Sequence, residues 1–253
     1  ILALSIQATQ KSIGLDPEQA SAYNSLGRAL REKANINDDD RLFLEAIEAL
    51  RHAIQLDSSY FYAYDNLALT LHDLADFRED DSYIPEALGD ARRAIELSPK
   101  FAGAFYSLGL LLSHQFDRTS DDGLLDEAIG NFRKAISLGE EQTYAFNDLA
   151  LALVTKFFRT GDLQFLLEAI DNYRSAIELE PGQALAARRF HKAMRELYNY
   201  QNADQFLANA RPKLIEMCEV LSTASQRKPK IAEYRTALNV LNAAPNGDRL
   251  CFH

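Results

Sequence analysis

Histidine and cysteine are the side chains here best suited to bind a metal or move a proton, and the chain has five of the first and two of the second. His72 and His114 are 42 residues apart in a chain whose other residues recur every 41, so they fall one register position apart. As neighbours they suit metal ligation or a pH-sensitive contact; the plainer reading is two surface histidines, and no metal site is expected. His52, His191 and His253 stand alone. Cys218 and Cys251 belong to no CxxC or Cys/His cluster and read as two ordinary thiols, which suits a reducing compartment. Catalysis needs convergent groups in a working geometry. No HExxH, GxSxG, GxGxxG or phosphate-loop string occurs. No enzyme activity and no cofactor are expected.

The aspartates are arranged in a ladder, Asp39, Asp80, Asp121 and Asp162, thickened by Asp40, Asp81 and Asp122. Such a stripe offers its field to a basic partner or a cation. At a helix start the same residues accept the free backbone N–H groups and favour the helix dipole. Capping is the reading adopted, and it leaves the surface field in place.

The ladder is one of several, which identifies a repeat. Leu15, Leu56, Leu97, Leu138 and Leu179 keep the 41-residue step, as do Ala22, Ala63, Ala104, Ala145 and Ala186. So do Glu45, Glu86, Glu127 and Glu168, each followed by alanine, and Ala53, Ala94, Ala135 and Ala176, each followed by isoleucine. Each unit reads as two helices. The first opens after Pro17, Pro99 or Pro181 and carries apolar residues at helical spacing, as in Tyr23, Leu26 and Leu30. The second shows Ala46, Ile47, Leu50, Ala53 and Ile54. Gly27, Ala68, Gly109 and Ala150 let neighbouring backbones approach. A hairpin cannot cover its own apolar face, so stability must come from stacking.

The strings Ala22-Tyr23-Asn24-Ser25-Leu26-Gly27 and Glu168-Ala169-Ile170-Asp171-Asn172-Tyr173-Arg174-Ser175-Ala176-Ile177-Glu178-Leu179-Glu180-Pro181 resemble the tetratricopeptide repeat (TPR) signature. The resemblance covers about residues 1–198. It implies an all-α, right-handed solenoid of stacked antiparallel hairpins, a TPR-like superhelix. Each unit exceeds the usual 34 residues by seven. The surplus lies at 33–41, 74–82, 115–123 and 156–164, which predicts longer helices or a protruding loop. The expected organisation is a half repeat at 1–17, full repeats at 18–58, 59–99, 100–140 and 141–181, and a first helix at 182–198. Residues 199–253 read as degenerate capping helices and a tail. Within them 203–222 is a second helix with Pro212 near its first turn or kinking it, and a last helix spans about 229–243 before Pro245 and Gly247.

In TPR proteins the inner faces of the first helices line a concave groove for an extended peptide or a helix. By register that lining would comprise Asn24, Arg28, Tyr62, Asp65, Asn66, Leu69, His72, Tyr106, Leu110, His114, Tyr144, Asn147, Asp148, Leu151, Arg188, Arg189 and Lys192. The resemblance thus implies a protein or peptide partner and an adaptor or scaffold role. Tyrosine supplies contact area with a polar tip, and asparagine bonds a ligand backbone from both sides. A Hsp70/Hsp90 carboxylate clamp is not expected. Its positions hold Asn24, Arg28, Asn66, Gly103 and Ser107, of which only Asn66 matches. The segments Arg118-Thr119-Ser120-Asp121 and Arg159-Thr160-Gly161-Asp162 resemble loops of TPR arrays joined to caspase-like protease domains. The alternative is therefore a regulatory or sensor region of a larger protein whose effector domain is not in this chain.

The net charge of −10 is uneven: 16 Lys/Arg against 31 Asp/Glu over residues 1–181 (−15), and 11 against 6 over 182–253 (+5). An acidic body repels phosphate backbones, so nucleic acid is not the expected partner. The basic third suits an acidic partner or the acidic repeats themselves. No apolar run approaches the roughly 18 residues of a membrane span, and residues 1–6 lack a basic leader, so no membrane insertion and a cytoplasmic setting are expected. The orphan half repeat offers an end for self-association.

Overall fold

The computed structural model describes residues 2–139, 143–182, 184–200, 203–228, 230–242 and 251. Residues 140–142 and 183, the ends of the helix expected at 229–243, Pro245, Gly247 and His253 lie outside the described residues. Two compact units divide the chain, Ile1–Leu138 and Gly139–His253. The first holds α1 (Leu2–Leu15), α2 (Ala20–Asn37), α3 (Asp40–Leu56), α4 (Phe61–Arg78), α5 (Ile84–Leu97), α6 (Ala102–Thr119) and α7 (Asp122–Leu138). The second holds α8 (Thr143–Thr160), α9 (Leu163–Leu179), α10 (Leu185–Tyr198), α11 (Ala203–Arg227) and α12 (Ala232–Asn242). The described residues contain no strand. The expected all-α fold of stacked antiparallel hairpins is the one observed.

The surplus residues lengthen the helices and build no protruding loop. α2, α4, α6 and α8 each run 18 residues, and α3, α7 and α9 each run 17. α5 reaches its length through a 3-10 turn at Asp81–Tyr83. Only two residues separate the helices of each hairpin. One is left-handed: Asp38 (φ 51°), Glu79 (φ 52°), Ser120 (φ 57°) and Gly161 (φ 71°). The other is the laddered aspartate, whose carboxylate accepts a backbone N–H two residues on. The donors are Arg41 (3.1 Å), Ser82 (3.0 Å), Gly123 (2.8 Å) and Gln164 (2.9 Å). These bonds satisfy N–H groups that the helix itself leaves unpaired. Thr119 and Thr160 each accept from the capping aspartate's own N–H, at 3.3 and 3.2 Å. The Arg-Thr-Ser-Asp and Arg-Thr-Gly-Asp strings are thus turn punctuation.

In the first unit α2 pairs with α3, α4 with α5 and α6 with α7, while α4 touches both α2 and α6 so that the first helices form one layer. In the second unit α8 pairs with α9, α11 packs on α9, and α12 packs on α10 and α11. α11 runs as one helix through the position of Pro212, well beyond its first turn. The ladder alanines are the core: Ala46, Ala53, Ala63, Ala87, Ala94, Ala104, Ala128, Ala135, Ala145 and Ala169 are fully buried. Side chains this small bring helices together, and larger ones such as Phe43, Leu50, Leu71, Leu111 and Phe132 fill the remaining space. A Cβ on Gly27 would lie 2.5 Å from Leu50 Cγ and 3.1 Å from the Ala46 carbonyl, and one on Gly109 would lie 2.6 Å from Phe132 Cε1. The leucine ladder behaves differently, with Leu15 and Leu179 exposed at the ends of their helices.

Candidate functional site

Polar ties link successive first helices with an offset of 41 or 42 residues, so the register seen in the sequence is a contact in space. In the first unit Asn66 Nδ2 donates to Asn24 Oδ1 (2.8 Å), Ser107 Oγ to Asp65 Oδ1 (2.6 Å), and Arg31 Nε to Asp73 Oδ2 (2.6 Å). Asp65 is buried, and that burial pushes its carboxyl up to about 6 against the Ser107 hydrogen bond and the Arg31 charge. It is therefore part of the helix interface and presents no face to a ligand. Asn66, Leu69, Tyr106 and Leu110 are half-buried, Arg28 is exposed, and Tyr62 is 43% exposed.

Aromatic rings gather at the start of α4 and α6. Tyr62 lies 4.1 Å from Phe61, 5.0 Å from Phe101 and 5.7 Å from Tyr60, centroid to centroid. Sequence reasoning missed Tyr60, Phe61 and Phe101. The available signal was Gly103, which holds the Tyr62 and Tyr144 register position. A Cβ there would sit 2.5 Å from Phe101 Cζ, so the Phe101 ring takes the space of the missing tyrosine.

Farther along the same two helices His72 and His114 do meet. Their rings are edge to face with centroids 5.3 Å apart, and their side chains are 15% and 10% exposed. Asp76 lies between them, with Oδ1 3.0 Å from His114 Nδ1 and Oδ2 3.8 Å from His72 Nε2. His114 Nε2 meets Asp81 Oδ1 at 2.9 Å, and Asp81 also faces Arg118. Burial raises the neighbouring Asp73 carboxyl, but contacts from His72, Arg31 and Asn35 outweigh it and hold it at about 2. Among the described residues, His72, Asp76 and His114 are the set with donor atoms close enough to share a metal ion, all within 4.8 Å of one another.

In the second unit Tyr144 and Leu151 are 52% and 40% exposed on α8, whereas Asn147 is buried at 2%. Like Asp65 in its own unit, Asn147 lies inside the packing. Arg189 bonds Asp148, and Arg188 bonds Glu233 Oε1 at 2.9 Å, so two charges of the expected basic end are answered internally. Lys192 is 77% exposed. It joins Arg188, His191, Arg195, Glu196 and Asn199 around a shallow cavity of about 380 Å³. Burial and the Arg195 charge lower the His191 pKa.

The two cysteines are not separate thiols. Cys218 of α11 is joined to Cys251 by a disulfide, with Cα atoms 5.4 Å apart across 33 residues of sequence. Spacing alone did not reveal this, because a lone pair 33 residues apart is close only if the chain returns to α11. The bond also removes the support that free thiols gave to a reducing compartment. Among the described residues no helix is long and apolar enough to cross a membrane.

Hairpins stacked in register, with polar ties between the first helices, define a helical-repeat array. Residues 19–58 match the family model of the tetratricopeptide repeat. Comparison with curated proteins gives no match. Among solved structures the chain is similar to TTC0263, a TPR protein of Thermus thermophilus, at 19% identity and TM-score 0.58, covering 75% of this chain and 88% of that one. YrrB, a TPR protein, matches at 20% identity and TM-score 0.50, with 92% and 98% covered. Pseudomonas aeruginosa pilF matches at 17% and 0.53, with 92% and 95% covered. At these identities the likeness is one of fold.

Proposed function

We propose that this chain is a non-catalytic scaffold that binds an extended peptide or helix of a partner protein on the first-helix faces of its repeats. The observation that carries this reading is the exposure of Tyr62, Tyr144 and Leu151, large side chains left uncovered at matching register positions. Isolated exposed apolar residues are ordinary. Here Tyr62 and Tyr144 share one register position, and Leu69, Leu110 and Leu151 share another. On α4 and again on α8 the tyrosine precedes the leucine by seven residues, about two helical turns, so each pair shares one helix face, and rigid aromatic anchors supply interface energy at low entropic cost. YrrB is described as having an unusual peptide-binding site, which accords with a peptide ligand for this fold. Asp65 and Asn147 are omitted from the surface because they are buried.

A displayed random-peptide library selected on the intact chain tests this, with affinities from calorimetry. The double variants Tyr62→Ala/Leu69→Ala and Tyr144→Ala/Leu151→Ala each probe one unit. Removing two anchors is expected to weaken selected peptides at least about tenfold for the unit they use, since anchor truncations cost about 1–2 kcal/mol or more. Helicity should be unchanged. Peptides that bind both variants as tightly as the parent chain would show that these faces are not the site.

A further inference from the structure

We propose that His72, Asp76 and His114 form a binding site for a divalent transition ion of the zinc class. Three observations support it. The first is the ligand geometry. Zinc bonds of 2.0–2.1 Å in a tetrahedral array separate ligand atoms by about 3.3 Å. Asp76 stands 3.0 Å from His114 Nδ1 and 3.8 Å from His72 Nε2, and one donor from each residue lies within 4.8 Å of the others. α4 and α6, which carry the three residues, already pack together.

The second observation is the surroundings of the two imidazoles. In metal sites the ring nitrogen that does not bind the ion is held by a carboxylate or carbonyl, which fixes tautomer and orientation. His114 has such a partner, and His72 has a carboxylate nearby. His114 Nε2 meets Asp81 at 2.9 Å, and His72 Nδ1 faces Asp73 at 3.7 Å. Asp73 is itself anchored by Arg31 at 2.6 Å and Asn35 at 2.8 Å. The third observation is burial. The histidine side chains are only 15% and 10% exposed, while Asp76 is 53% exposed, so the rings are fixed and the carboxylate faces solvent.

Two nitrogens and one carboxylate exclude calcium and magnesium, which take oxygen sets. They suit zinc, cobalt or nickel. Three protein ligands leave a coordination position open on the solvent side, for water or a donor group from a bound partner. The site stands apart from the peptide-binding reading, because the ion binds the chain alone.

The test is a titration of the full chain, purified with chelator, with Co²⁺ followed by its visible d–d absorption, and then displacement by Zn²⁺. A one-to-one tetrahedral-type spectrum that Zn²⁺ abolishes and Mg²⁺ does not is the expected result. His72→Gln and His114→Gln are each expected to weaken binding at least about 100-fold. Asp81→Asn, which removes the outer carboxylate charge, should weaken it about 10-fold. His191→Gln should leave it unchanged. Helicity by circular dichroism checks that each variant folds. The proposal is overturned if no such spectrum appears, or if it persists at equal affinity in either His72→Gln or His114→Gln.

Discussion

Asp65 and Asp73 are both on α4 and both largely enclosed, and burial raises both carboxyls, yet their net shifts run in opposite directions. Asp73 has Arg31, Asn35 and His72 around it and is held at about 2. Asp65 has a single hydroxyl partner, Ser107, and rises to about 6. Its folded form therefore retains a proton that the unfolded form, near 3.8, has released. Between those values the native state binds more protons, so this group's contribution to stability falls as pH rises from about 4 to 6 and is constant above. Asp73 acts in the opposite sense: its contribution is present above 3.8 and lost as pH falls through about 2. Asp65→Asn keeps the acceptor for Ser107 and removes the ionisation; the register position two units on is already asparagine, Asn147. Relative to the parent chain, this variant is expected to gain on the order of 2–3 kcal/mol between pH 4 and pH 7. Urea unfolding at the two pH values checks it. A difference that does not change with pH would mean that Asp65 stays ionised in the fold.

At the scale of the helix, glycine tests whether the register positions are close contacts. A Cβ added to Gly89 in α5 would meet no atom within 4 Å, while one on Gly109 in α6 would meet the Phe132 ring at 2.6 Å. Gly89→Ala is expected to stabilise by about 0.5–1 kcal/mol through helix propensity alone. Gly109→Ala gains the same amount but overpacks the α6–α7 interface at a cost of about 1–3 kcal/mol, leaving a net loss of about 1 kcal/mol. Thermal melts of the two variants should therefore move in opposite directions; if both rise, α6 and α7 have room to separate. The helices themselves were legible in the sequence because alanine and apolar ladders mark buried faces. The left-handed turn residue was legible at one site only. Gly161 advertises it, but Asp38, Glu79 and Ser120 adopt the same conformation with a side chain, held there by the aspartate cap that follows. Sequence alone left open whether the surplus residues formed loops or longer helices, since both readings place polar residues at 33–41.

Across the whole molecule, what depends on register could be read from the sequence and what depends on helix rotation could not. The His72–His114 contact follows from a one-position offset between repeats. The burial of Asp65 and Asn147, adjacent in sequence to residues on the open face, depends on a rotation of about 100° per residue that no spacing rule fixes. The Cys218–Cys251 bond lies outside the repeat pattern altogether. In an array whose repeats touch mainly their neighbours, a crosslink acts locally. This one ties α11, which packs on α9 and α12, to a residue beyond α12. Closing a loop of 33 residues removes unfolded-state entropy equivalent to about 3–4 kcal/mol. Reduction, or Cys251→Ala, should therefore speed amide exchange in α11 and α12 by two to three orders of magnitude, as about 1.4 kcal/mol corresponds to a factor of ten, while α2 and α3 exchange as before. Two reactive thiols in the untreated native chain would show instead that the bond is not formed. Acceleration spread equally over α2 and α3 would show that the array unfolds as one cooperative body and not by neighbouring repeats.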